Sequence, residues 1–123
     1  MARRVLVVED DEKSRRLLCD VLSYHGFEVV AAESGESALV LARELPPDAA
    51  LVDIFLPGMN GYDVLAALRA RERATRLPVL AVTASAMEHD RTRMIASGFD
   101  ACIAKPVNIR QLIDTLHALI EDP

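Results

Sequence analysis

The sequence predicts an α/β fold, a doubly wound parallel sheet of five strands covered by five helices, and three observations predict it. Five short apolar runs lack polar alternation, which is the pattern of strands buried on both faces. Segments with apolar residues at helical spacing separate these runs, as in right-handed βαβ units. The central run, Ala49-Ala50-Leu51-Val52, leads into a single carboxylate, Asp53, with a Pro57-Gly58 turn soon after. Open α/β sheets bind their ligands at such strand ends.

Size and composition agree with this layering. A chain of 123 residues makes one domain, here 1–123, and buries about two-thirds of its unfolded surface. Half of it is hydrophobic, with few aromatics and no Trp, so the core is built from Val, Leu, Ile and Ala. A net charge of −5 and a pI near 5.1 provide no basic field for nucleic acid or anionic lipid. Cys19 and Cys102 match no metal spacing and read as reduced thiols of a cytoplasmic protein. No apolar run reaches membrane-spanning length, and Met1-Ala2-Arg3-Arg4 leads straight into a strand.

Taken in order, the apolar run 5–8 is the first strand and ends in four acids, Glu9-Asp10-Asp11-Glu12. Leu17, Leu18, Val21 and Leu22 form the stripe of the first helix, and Gly26 stops it. Residues 27–31 make the second strand. Ser34 caps the second helix, whose stripe is Ala38, Leu41, Ala42 and Leu45, and Pro46-Pro47 ends it. After the Asp53 strand, Gly61 opens a helix through Val64, Leu65 and Leu68. The cations at its tail, Arg69, Arg71, Arg73 and Arg76, suit a helix C-terminus and read as a solvated face. The fourth strand, 79–82, ends in Thr83, and Ser85 with Glu88 forms a capping-box pattern for the fourth helix, which Gly98 ends. The fifth strand, 101–104, ends in Lys105-Pro106. Asn108 and Gln111 form another capping-box pattern, and Ile109, Leu112, Ile113, Leu116 and Ile120 give the last helix its core stripe.

The strand ends define the chemistry. Glu9 and Asp10 follow the first strand, Asp53 the third, Thr83 the fourth and Lys105 the fifth, while the second ends in Ala32-Glu33-Ser34 and adds nothing comparable. In the order 2-1-3-4-5 the second strand lies at the edge, and strands one and three meet at the switch point. Glu9, Asp10 and Asp53 gathered together repel one another unless a cation joins them. All-oxygen ligation with room for water suits Mg²⁺. Lys105 then adds a fixed positive charge and Thr83 a hydroxyl donor, so that with the metal they cover the free oxygens of a phosphoryl group. Asp53 is the nucleophile, forming an acyl phosphate. His25, His89 and His117 share no metal spacing and read as surface residues, and Met87 and Met94 read as packing residues.

Val-Leu-Val-Val-Glu-Asp-Asp, the segment Asp53-x-x-x-Pro57-x-x-x-Gly61, Val-Thr83-Ala and Lys105-Pro106 resemble the receiver domain of bacterial two-component response regulators, over essentially the whole chain. The resemblance implies a flavodoxin-like fold and a phosphorylation switch in a phosphorelay. Asp53 accepts a phosphoryl group from a sensor histidine kinase or a histidine phosphotransfer protein. Glu9, Asp10, Asp53 and the backbone carbonyl of Phe55 hold Mg²⁺, Lys105 and Thr83 contact the phosphoryl group, and the Lys105–Pro106 peptide is cis. A downstream protein docks on the fourth helix, fifth strand and fifth helix, and the only catalysis is the domain's own phosphoryl transfer and dephosphorylation. One position departs from the pattern: Cys102 stands where receivers usually carry Tyr or Phe. Phe55 is a bulky apolar choice at another variable position.

Two other classes fit less well. A Mg²⁺ phosphohydrolase of the haloacid dehalogenase type needs a second acid close to the nucleophile and a cap, yet Ile54-Phe55-Leu56 follows Asp53 and no residues are spare. A flavodoxin-like cofactor binder needs a phosphate-cradling Gly/Ser/Thr loop where this chain has four acids.

Overall fold

The computed structural model describes residues 2–71, 76–84 and 87–121. Five strands alternate with five helices: β1 (Arg4–Val8), α1 (Glu12–Tyr24), β2 (Glu28–Ala32), α2 (Gly35–Glu44), β3 (Ala49–Asp53), α3 (Gly61–Ala70), β4 (Val79–Thr83), α4 (Glu88–Ser97), β5 (Ala101–Ala104) and α5 (Ile109–Glu121). The strands are all parallel, in the order β2-β1-β3-β4-β5. The expected topology is the observed one.

Period-two alternation along each strand divides the core in two. Val5, Val7, Leu51 and Ile103 point to one face, where Leu18 and Leu22 of α1 and Leu112 and Leu116 of α5 cover them. Leu6, Val52, Ala81 and Cys102 point to the other, under Ala38 of α2, Val64 and Leu65 of α3, and Met94 of α4. With β3 and β4 buried along their whole length, polar residues are tolerated only where those strands end.

The helix termini show which local signals held. The Ser34 side chain accepts from Ser37 N–H at 3.1 Å and that of Asn108 from Gln111 N–H at 2.9 Å, relieving donors that the helix itself leaves unpaired. Gly26 and Gly98 sit at φ +90° and +115°, a backbone region that closes helices and favours glycine. Other caps lie where the sequence pattern does not predict them. Asp11, hidden in the acidic run, caps α1 through Ser14 N–H at 2.9 Å, and Asn60 with Asp63 builds a full capping box on α3. For α4, Glu88 is the first helical residue and Met87 its N-cap, while Ser85 lies outside the described residues.

The arginines after α3 are not a uniformly solvated face. The Arg69 guanidinium is mostly buried, donates to Gly98 O at 2.8 Å and also to Leu77 O, and pairs with Asp100 at 3.0 Å. Asp100 in turn accepts from Val79 N–H at 2.8 Å and pairs with Arg76 at 2.8 Å. Burial of Asp100 between strands recruits these cations because an uncompensated buried carboxylate is costly. Arg71 lies on the surface and donates to Leu39 O, and Arg73 lies outside the described residues.

Candidate active site

Asp53 is the last residue of β3 and 5% exposed. Its main chain is fixed from two sides. It stands opposite Val82 in the β3–β4 register, and Ile54 N–H donates to Val82 O at 3.1 Å. The first turn of α3 closes from the other side, where Gly61 N–H donates to Ile54 O at 3.1 Å. Phe55 N–H, two residues on, donates to Asp53 Oδ1 at 3.0 Å and orients the carboxylate.

Glu9, 1% exposed, follows β1 and is anchored through its N–H to Ala32 O at 3.0 Å. Its Oε2 accepts from Asp11 N–H at 3.2 Å. The Lys105 main chain donates to Thr83 O at 2.8 Å, and the peptide after it is cis. From there the ammonium reaches Glu9 Oε1 at 2.6 Å and Asp53 Oδ2 at 3.1 Å. Thr83 closes β4, is fully buried, and stands opposite Ala104 in the register beside Lys105. The exposed Asp10 carboxylate completes an acidic group in which Glu9, Asp10 and Asp53 each present an oxygen within 4.8 Å of the others. The structure therefore gathers the acids and Lys105 at one end of the sheet, with Thr83 at the end of the neighbouring strand.

One cation serves two buried acids. Burial pushes the Glu9 carboxyl above its ordinary range, and the hydrogen bond from Lys105 only partly offsets this. For Lys105, burial works against the ammonium, but Glu9 and Asp53 outweigh it and hold the group above its usual value. The rise at Glu9 reflects chiefly its burial, and that at Lys105 the two carboxylates it faces.

The residues outside this group divide. His25 and His117 are exposed as expected, and the His117 ring packs 5.6 Å from that of Phe27; the His89 side chain lies outside the described residues. Met94 packs in the core, but Met87 is 63% exposed and does not. Phe55 is 62% exposed, two residues after Asp53. Both cysteines are free thiols.

A parallel 2-1-3-4-5 sheet with acids after β1 and β3 and a lysine after β5 defines a class of phosphoryl-accepting signalling domains. The family model for the response regulator receiver domain matches residues 5–117, and the chain belongs to this family of two-component signalling switches rather than to an ordinary enzyme class. It is 38% identical to the polar-differentiation response regulator DivK of Brucella ovis, over 99% of both chains. The receiver domain of sensor histidine kinase PA1611 from Pseudomonas aeruginosa, whose structure has a magnesium ion coordinated in the active site cleft, superposes with a TM-score of 0.89 at 30% identity, covering 99% of this chain and 100% of that one. Chemotaxis protein CheY4 of Vibrio cholerae gives 0.90 at 27% identity, over 97% and 99%. No helix among the described residues is long and apolar enough to cross a membrane.

Proposed function

We propose that Asp53 is the phosphoacceptor and that Glu9, Asp10, Asp53 and the Phe55 carbonyl bind Mg²⁺. The observation that carries this reading is the sharing of one Lys105 ammonium by two buried carboxylates. The three carboxylates present oxygens within 4.8 Å of one another, an all-oxygen donor set of the kind Mg²⁺ takes. Bound there, the ion would supply positive charge opposite the incoming phosphoryl oxygens.

The chain's own groups do the rest. An Asp53 oxygen attacks the phosphorus of a phosphohistidine. The new O–P bond forms as the P–N bond breaks, and the imidazole leaves with the electron pair and takes a proton from water. Phe55 N–H holds the other Asp53 oxygen, so the nucleophile arrives oriented. Lys105 moves from Asp53 to a phosphoryl oxygen without leaving Glu9, which keeps its charge in place through the transfer. The Thr83 hydroxyl donates to another phosphoryl oxygen, drawing in the loop after β4 and biasing an element with two positions. The exposed Phe55 ring screens the acyl phosphate from water. The same site thus catalyses its own phosphorylation and dephosphorylation and nothing further.

On this reading residues 1–123 act as one cytoplasmic receiver domain that takes its phosphoryl group from a sensor histidine kinase or a histidine phosphotransfer protein. Output leaves through α4, β5 and α5, where Ile95 and Ile109 are half exposed. A chromogenic phosphate ester separates the switch from a phosphohydrolase. The switch gives at most slow turnover through its own acyl phosphate, and sustained rapid hydrolysis that survives Asp53→Asn would contradict it.

A further inference from the structure

We propose that Arg15 is a positioning residue for the Mg²⁺ site, acting through the backbone of Glu9 and Asp10. The inference rests on the metal reading above. Arg15 lies in the first turns of α1 and is half-buried. Its Nη1 donates to Glu9 O at 3.0 Å and to Asp10 O at 3.3 Å, so one guanidinium nitrogen grips two successive carbonyls of the acidic turn. The same turn is closed by its own helix. Asp11 caps α1 at Ser14, and Arg15 N–H donates to Asp11 O at 2.9 Å. The turn is folded back on the helix that follows it.

The two metal-site acids depend on this grip unequally. Lys105 and the Asp11 N–H hold the Glu9 carboxylate directly. Among the described residues none donates to the Asp10 carboxylate, which is exposed. Its placement follows the main chain of the turn, to which Arg15 donates at two successive carbonyls. Groups behind metal ligands that fix their orientation affect affinity even though they never touch the ion.

Charge alone predicts the opposite sign. A guanidinium bonded to the carbonyls of the acidic turn repels a divalent cation held by that turn, so removing it strengthens Mg²⁺ binding if Arg15 acts only by its field. Removing it weakens binding if Arg15 acts by placing Asp10.

The test is the Mg²⁺ dissociation constant, read from backbone amide NMR shifts at fixed ionic strength, for the wild type, Arg15→Met, Arg15→Lys and Asp10→Asn, with thermal melts of each. Arg15→Met keeps the stem without the donors and is expected to bind roughly 10-fold more weakly. Arg15→Lys restores one cationic donor and recovers part of that loss, which a general loss of folding would not do. The Mg²⁺ concentration giving half-maximal labelling by acetyl phosphate rises by the same factor. Unchanged or tighter binding in Arg15→Met, with Asp10→Asn weakened, overturns the positioning role and leaves the metal site standing. Unchanged binding in Asp10→Asn overturns the metal reading itself, and this proposal with it.

Discussion

Gly61 lies against the backbone of Asp53: a Cβ at position 61 would stand 2.7 Å from the Asp53 carbonyl oxygen and 2.7 Å from Ile54 Cα. Neither atom belongs to a flexible side chain, so the strand end or α3 must shift to admit even a methyl group. The glycine eight residues after Asp53 is therefore a steric requirement of the close approach between β3 and the first turn of α3.

Gly61→Ala should lower stability by about 1–3 kcal/mol, the range for overpacking a tight contact, and slow acetyl phosphate labelling by displacing Asp53. Urea unfolding gives the first and timed intact-mass spectra the second. An unchanged urea midpoint would show that the contact relaxes freely.

The Asp100 side chain holds several elements together. It receives Arg69, Arg76 and the Val79 N–H, joining the end of α3, the start of β4 and the turn before β5. Asp100→Ala leaves Arg69 and that N–H without this acceptor. The expected loss is about 2–3 kcal/mol, below that of fully buried pairs because the Arg76 end is exposed. A loss under about 0.5 kcal/mol would place the pair with ordinary surface bridges.

Cys102 provides a pH test and a probe of α4. Its Sγ lies 3.7 Å from Met94 Sδ, so the thiol sits under α4 where the family usually has an aromatic ring. Burial raises the Cys102 thiol above its usual range, and only the thiolate is alkylated. In a Cys19→Ser background, labelling should be slow at pH 8. The pH of half-maximal labelling should lie above that of an ordinary thiol, about 8.5. A midpoint at the ordinary thiol value would mean that the site is open. A bound phosphoryl mimic should speed labelling as α4 shifts, and equal rates with and without it would route the output elsewhere.

Most of the fold was legible because β1, β3, β4 and β5 are short apolar runs whose ends coincide with polar residues. The second strand begins one residue later than the apolar run predicts. Phe27 is apolar and buried, but it belongs to the core cluster that also holds Leu22 of α1, and the ladder begins at Glu28. The strand-end acids, Thr83 and Lys105 could be found because topology alone brings such ends together. What escaped was tertiary. Nothing local tells that Arg69 reaches Asp100, 31 residues away, or that Arg15 turns back to Glu9. Asp11 was masked by its acidic neighbours, which share its charge but not its capping position.

Intact-mass spectrometry after incubation with acetyl phosphate and Mg²⁺ tests the central assignment most directly. The wild type should gain one phosphoryl group and Asp53→Asn none, while Lys105→Ala is labelled more slowly. Equal labelling of the wild type and Asp53→Asn would contradict the assignment of Asp53 as the acceptor.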